Sequence, residues 1–206
     1  MGLSPSERVN NILIQRAESS VGEAPSGLAG GGGWSLPFKK MRILGIDPGT
    51  SKAGYGLVEQ SSDRINLVVS GEITSRPNEP ISKKLKEIFL KVQELIETCR
   101  PDAIAVENSF LHKNVQTAVR LGQARGAVLI AAEILSVSVM EYTPREVKLA
   151  LVGYGGAEKE QMQWMLRKIL GEGVVPDSHH AADAIAVAIC HLHSAKINGL
   201  IRAGMR

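Results

Sequence analysis

Arg42-Ile-Leu-Gly-Ile-Asp47-Pro-Gly49 is a short apolar run that ends on an acid and breaks into a turn. Its length and its Pro-Gly exit predict a buried β-strand. Downstream, Gly54 to Gln60 reads as a second strand and Arg64 to Ile73 as a third. The breaks between them, Pro48 to Lys52 and Ser61 to Asp63, are short enough for antiparallel hairpins. Pro80 to Cys99 has the spacing of a long amphipathic helix. Its inward stripe is Ile81, Leu85, Ile88, Val92, Leu95 and Ile96, with Lys83, Lys84, Lys86 and Lys91 on the wet side.

Pro101 stops that helix, and Asp102-Ala-Ile-Ala-Val-Glu107 repeats the opening theme of an apolar run ending on an acid. Val115 to Ile134 predicts a helix and Val137 to Tyr142 a fifth strand. Thr143-Pro-Arg-Glu146 combines a capping box with proline at the first helical position, so a short helix follows to Val152. Tyr154 to Ala157 is a loop, Ala157 to Leu170 is helical, and a helix from Ser178 to Lys196 closes the series. Three strands in a meander, then alternating helices and strands, define an α/β fold. Its expected architecture is a five-stranded mixed sheet with helices on both faces.

The ordered pattern begins at Met41, a candidate translation start. Residues 1–40, with Gly30 to Gly33 and no sustained periodicity, are expected to be a flexible extension. Residues 41–198 form the folded domain and 199–206 a short basic tail. No run approaches the roughly 20 apolar residues of a membrane span. The formal charge of +3, from 24 Lys and Arg against 21 Asp and Glu, is too balanced to identify a nucleic-acid partner by itself. The two cysteines, Cys99 and Cys190, sit in apolar helical contexts outside any C-x-x-C pair. Reduced, buried thiols and a cytoplasmic location are the expectation.

Asp47, Glu107, His180 and Asp183 come from three segments that this element order brings together. Carboxylates at the ends of buried strands are costly unless a cation or hydrogen bonds satisfy them. His180-Ala-Ala-Asp183 places both side chains on one helix face near its N-terminus, where Asp177 or Ser178 can cap. Ala181, Ala182, Ala184 and Ala186 allow that helix to lie close against the sheet. Two magnesium ions roughly 3.5–4 Å apart, held by such acids, both activate water and neutralise a leaving oxygen, the needs of phosphodiester hydrolysis. Each residue alone reads more simply, as a turn cap or a solvated rim acid; the combination points to a nuclease.

Gly45-Ile-Asp-Pro-Gly49 with Gly54-Tyr-Gly56, then Glu107-Asn-Ser-Phe110, Gly122-Gln-Ala-Arg-Gly126, Ala157-Glu-Lys159 and His180-Ala-Ala-Asp-Ala-Ile-Ala186 resemble, in this order, the RuvC family of Holliday-junction resolvases. The match runs from Met41 to about His193. The resemblance implies a ribonuclease H-like fold, a homodimer, and paired, symmetric, magnesium-dependent nicks in four-way junction DNA. It carries over Asp47, Glu107, His180 and Asp183 as a catalytic, metal-holding tetrad, with Lys159 near the scissile phosphate. It also implies action beside a branch-migration helicase complex.

One departure stands out. Some family members have Asp where this chain has His180, and imidazole suits manganese better than magnesium. Phe110 is expected to stack on an unpaired base, against the alternative of core packing. Lys113, Lys148, Lys159, Arg145 and Arg125 are candidate phosphate contacts. Ala118, Gly122 and Gly126, four apart on one helix face, are expected at the dimer interface, with packing onto their own sheet as the alternative. Three rival readings remain at this stage. They are an actin-like or sugar-kinase-like ATPase on the strength of Asp47-Pro-Gly-Thr-Ser51, a YqgF-type RNA-processing nuclease, and a junction-binding protein without catalysis.

Overall fold

The structure is a computed structural model that describes residues 40–62, 64–108, 114–174 and 176–204, with side chains through residue 195. In chain order the elements are β1 (Met41–Asp47), β2 (Lys52–Ser61), β3 (Arg64–Thr74), α1 (Ile81–Cys99), β4 (Ala103–Glu107), α2 (Val115–Ile134), β5 (Val139–Tyr142), α3 (Pro144–Val152), α4 (Lys159–Leu170) and α5 (His179–Gly204). The sheet order is β3-β2-β1-β4-β5. β1 pairs antiparallel with β2, and β2 with β3, while β1/β4 and β4/β5 are parallel. This is the mixed five-stranded sheet that the pattern predicts, and it is a ribonuclease H-like fold.

Strand alternation decides which residues meet which helix. Ile43, Gly45 and Asp47 share a face with Ala103, Ala105 and Glu107, and α5 lies across it, with Ala182, Ile185, Ala186 and Ile189 in the core beneath. α3 and α4 flank α5 on this face through Val147, Leu151 and Leu166. Leu44, Ile46, Ile104 and Val106 point the other way and are fully buried. α1 and α2 cover that second face, and Lys91 of α1 sits 5.9 Å over the Tyr55 ring.

Glycine sets how closely α5 approaches. A Cβ at Gly45 would overlap the Ala184 carbonyl oxygen, and one at Gly54 would overlap the His180 carbonyl oxygen. Gly45 and Gly56 are register partners, as are Asp47 and Gly54. The helix backbone therefore rests on strand backbone, and the alanines of α5 complete the contact.

The helix ends follow their capping chemistry. Thr143 and Glu146 form the expected reciprocal box at α3, with Pro144 at its first position. Ser178 Oγ accepts from Ala181 N at 3.1 Å and so caps α5. Pro101 follows a left-handed Arg100 that closes α1. Lys84 departs from its expected wet position: it is 8% exposed, because its ammonium reaches back to donate to the Pro77 carbonyl at 3.2 Å. α5 continues to Gly204, through residues 199–204 that the sequence reading assigns to a tail. Both cysteines are free and buried, and burial pushes the Cys190 thiol up to about 11. Among the described residues, no helix is long and apolar enough to cross a membrane.

Candidate active site

Asp47 and Glu107 close the adjacent parallel strands β1 and β4 on the face that α5 covers. Neighbouring strands lie about 4.8 Å apart, so the two acids start from adjacent backbone positions. The first turns of α5 bring His180 and Asp183 over them. His180 Nδ1 lies 2.8 Å from Asp47 Oδ2, with the imidazole side chain 42% and the carboxylate 20% exposed. The close seating of α5 on Gly54 is what delivers this contact.

Electrostatics bind the group together. Burial pushes the Asp47 carboxyl above the ordinary carboxylate range; the His180 hydrogen bond opposes this, and the Asp183 charge adds to it. Burial likewise raises Asp183, with the Lys159 ammonium and the His180 and His179 rings pulling the other way. Asp47 is largely shielded while Asp183 stays exposed at the mouth of the site, and two carboxylates that repel one another favour a cation between them.

Two cavities open here and Glu107 lines both. One, of about 410 Å³, takes in Asp47, Gly49, Lys52, Glu107, Arg125 and His180. The other, of about 170 Å³, takes in Glu107, Lys148, Lys159 and Asp183. The second places two of the expected phosphate-contact lysines beside the acids. Ala118 and Gly122 also line the larger cavity, so their small size keeps it open.

The donor set of three carboxylates and an imidazole suits a hard divalent cation in kind. In spacing, no three His, Cys, Asp or Glu side chains among the described residues stand close enough together to grip one. Asp47 spends one oxygen on His180.

The remaining expectations divide. Arg125, read as a phosphate contact, instead clamps Glu141 with hydrogen bonds of 2.5 and 2.6 Å. Asn108 Nδ2 donates to the same carboxylate at 2.6 Å, and Asn108 N donates to the Tyr142 carbonyl at 2.8 Å. This clamp ties α2 and β5 to the residue that follows Glu107. Arg145 is exposed on α3, folded against Gly155, whose missing Cβ gives its side chain room. Phe110 and Lys113 lie outside the described residues. Gly122 and Gly126 have open space where a Cβ would stand, which removes packing onto the sheet as their explanation.

The sequence reading missed Lys52, Asn108 and Glu141. Lys52 opens β2 next to His180, and its partner Glu72 (Nζ to Oε2, 3.2 Å) comes from β3 across the hairpin. The only sequence signal for Lys52 was its place after the Asp47-Pro-Gly turn. Glu141 was hidden because its role depends on side chains from α2 and from the end of β4 that only the folded sheet brings to it.

A ribonuclease H-like sheet with acids at the ends of its two central parallel strands, and a third acid on the covering helix, defines a nuclease. The match to known proteins narrows the class. The family model described as "Crossover junction endodeoxyribonuclease RuvC" matches residues 43–191, and the chain belongs to that family. The crossover junction endodeoxyribonuclease RuvC of Syntrophomonas wolfei is 42% identical over 163 residues, covering 79% of this chain and 95% of its own. That of Brevibacillus brevis is 47% identical over 151 residues, covering 73% and 91%. The structure described as T. thermophilus RuvC in complex with Holliday junction substrate superposes with a TM-score of 0.73 at 37% identity, over 77% of this chain and 96% of the other. The chain is an endodeoxyribonuclease of a metal-dependent family.

Proposed function

We propose that this enzyme resolves four-way DNA junctions by paired, symmetric nicks during homologous recombination and repair. The observation that carries the reading is the meeting of Asp47, Glu107 and Asp183, from β1, β4 and α5, around two cavities that share Glu107. A relative whose structure holds a Holliday junction supports the same substrate.

Asp47, Glu107 and Asp183 would hold magnesium, two ions per site, with His180 as the fourth member and manganese accepted in its place. Bound there, the ions supply water activation and charge neutralisation at the leaving oxygen. The chain's own groups do the rest. Lys148 and Lys159 draw the scissile phosphate toward Glu107 and Asp183, and Lys159 sits at the first turn of α4, where backbone N–H groups favour an anion. His180 fixes the orientation of Asp47 through their hydrogen bond and, from a partly exposed position, can pass a proton to or from water. Phe110 and Lys113 are assigned to the junction by motif position, and Arg145 to its phosphates.

The homodimer reading rests on α2. Val115, Val119, Ile130 and Ile134 are each more than half exposed, and with Ala118, Gly122 and Gly126 they form an apolar and small-residue surface on that helix. A two-fold pair of sites would match a junction of near two-fold symmetry. The enzyme would work in the cytoplasm beside a branch-migration helicase complex. The deciding assay incubates a synthetic four-way junction with the protein and magnesium or manganese. Symmetric paired nicks, with linear duplex left intact, are the expected products; cleavage of RNA in preference to the junction would favour the YqgF-type reading, and binding without cleavage would favour a non-catalytic one.

A further inference from the structure

Asp47, Gly54 and Glu72 form one row across three strands, since Asp47 is the register partner of Gly54 and Gly54 that of Glu72. Paired residues rise on the same side of a sheet, so both carboxylates belong to the α5 face with a glycine between them. A Cβ on that glycine would overlap the His180 carbonyl oxygen. The start of α5 therefore sits over the row, between two acids. Asp47 takes the His180 ring, and the chemistry described so far gives Glu72 no part. Glu72 shares with Lys52, Ser178, His179 and His180 the lining of a cavity of about 430 Å³.

Two groups hold Glu72. The Lys52 ammonium donates to its Oε2 at 3.2 Å. The Ser178 hydroxyl is the first cause that keeps the Glu72 carboxyl below its ordinary range; desolvation opposes this, and Lys52 and His180 add to the lowering. Ser178 also caps α5: its Oγ accepts from Ala181 N at 3.1 Å and its carbonyl from Ala182 N at 2.9 Å. A serine hydroxyl has one proton to give besides the lone pairs with which it accepts. With a lone pair given to Ala181 N, that proton goes to Glu72, which holds the hydroxyl in its capping orientation. Ser70, two residues before Glu72 on β3, donates to Asp177 Oδ2 at 3.0 Å. β3 thus grips both residues that lead into α5. The caps of α2 and α3 are local, built from Asn114 and from Thr143 with Glu146, whereas that of α5 is tied to a strand distant in the chain.

We propose that Glu72 is a positioning residue for the cleavage reaction: by holding the Ser178 cap it fixes where α5 begins on the sheet, and so where His180 and Asp183 stand over Asp47 and Glu107. Its effect passes through Ser178, two residues before His180, and it touches no reacting group itself. The proposal rests on the junction-cleaving activity, and the two fail differently. A wild-type enzyme that cuts no junction removes the activity, whereas the coupling of Glu72 to the start of α5 is read by amide exchange in the protein alone.

The test combines single-turnover cleavage of a four-way junction by saturating enzyme with junction binding, melting temperature and amide hydrogen exchange. Glu72→Ala should lose about tenfold in cleavage rate, the scale of one hydrogen bond to a charged group. Junction binding should not weaken, because a carboxylate beside DNA opposes binding rather than aiding it. Glu72→Gln keeps an acceptor for Ser178 and should return to within about threefold of the wild type. Ser178→Ala should lose about as much as Glu72→Ala, and the double variant no more than either, as expected of two groups that act as one. Exchange should quicken at residues 179–185 in Glu72→Ala while the strands keep their protection. Additive losses in the double variant would overturn the proposal, as would unchanged exchange at the start of α5. A fall in melting temperature with a parallel loss of junction binding would reduce Glu72 to a general support of the fold and also overturn it. So would an effect of Glu72→Ala that disappears in Lys52→Met but persists in Ser178→Ala, because Glu72 would then act through Lys52.

Discussion

At the scale of single residues, the acids that equip the site also burden the fold. The Asp183 carboxyl is raised above its ordinary 3.8 chiefly by burial, so the folded chain binds that proton more tightly than the unfolded chain does. The stability linked to this proton is fully present below pH 3.8 and is lost as pH rises through the folded value. Asp183→Asn removes the burdened charge. The variant should match the wild type in urea unfolding near pH 4 and be slightly more stable at pH 7, by a margin that solvent around this exposed side chain keeps small, while losing cleavage. A variant that is less stable at both ends would contradict the assignment of burial as the dominant cause. His180 gives the second prediction. Its contact with Asp47 spans 2.8 Å and suits either a ligand or a hydrogen-bond partner, and a carboxylate can serve as a ligand there. His180→Asp should therefore keep measurable junction cleavage and favour magnesium over manganese more strongly than the wild type does. An inactive but folded His180→Asp would reject this equivalence.

At the scale of elements, the fit of α5 against β1 and β2 is the positioning device. Gly54 leaves no space for a Cβ under the His180 carbonyl. Gly54→Ala should push the start of α5 off the sheet, cost about 1–3 kcal/mol in unfolding, and reduce cleavage more than junction binding. Unchanged cleavage would show that the register of α5 is not what sets the site. Much of this was legible in the sequence. The apolar runs ending on Asp47 and Glu107, the capping box at Thr143 and the alanine run of α5 are local signals, and local chemistry forms them. The Arg125–Glu141–Asn108 clamp and the Lys52–Glu72 pair were not legible, because each joins charged residues that are exposed by every local criterion until the sheet order makes them neighbours. Lys84 was misplaced for a similar reason: its stem runs along apolar surface to reach a carbonyl, and periodicity cannot distinguish that from a solvated lysine.

At the scale of the whole molecule, the surface of α2 presents apolar side chains around glycines where an added Cβ would meet nothing among the described residues. Ile130 is 58% exposed there, so a charge at this position should leave the monomer fold intact. Ile130→Glu should sediment as a monomer where the wild type sediments as a dimer, and should turn paired nicks into uncoupled single ones. A wild-type monomer, or a dimeric Ile130→Glu, would move the interface elsewhere. The central claim is that acids from β1, β4 and α5 act as one catalytic group on DNA. The most direct measurement compares Asp47→Asn, Glu107→Gln and Asp183→Asn for cleavage and for binding of a four-way junction in magnesium. Each variant should bind the junction and fail to cut it. Cleavage at the wild-type rate by any one of the three would contradict the account.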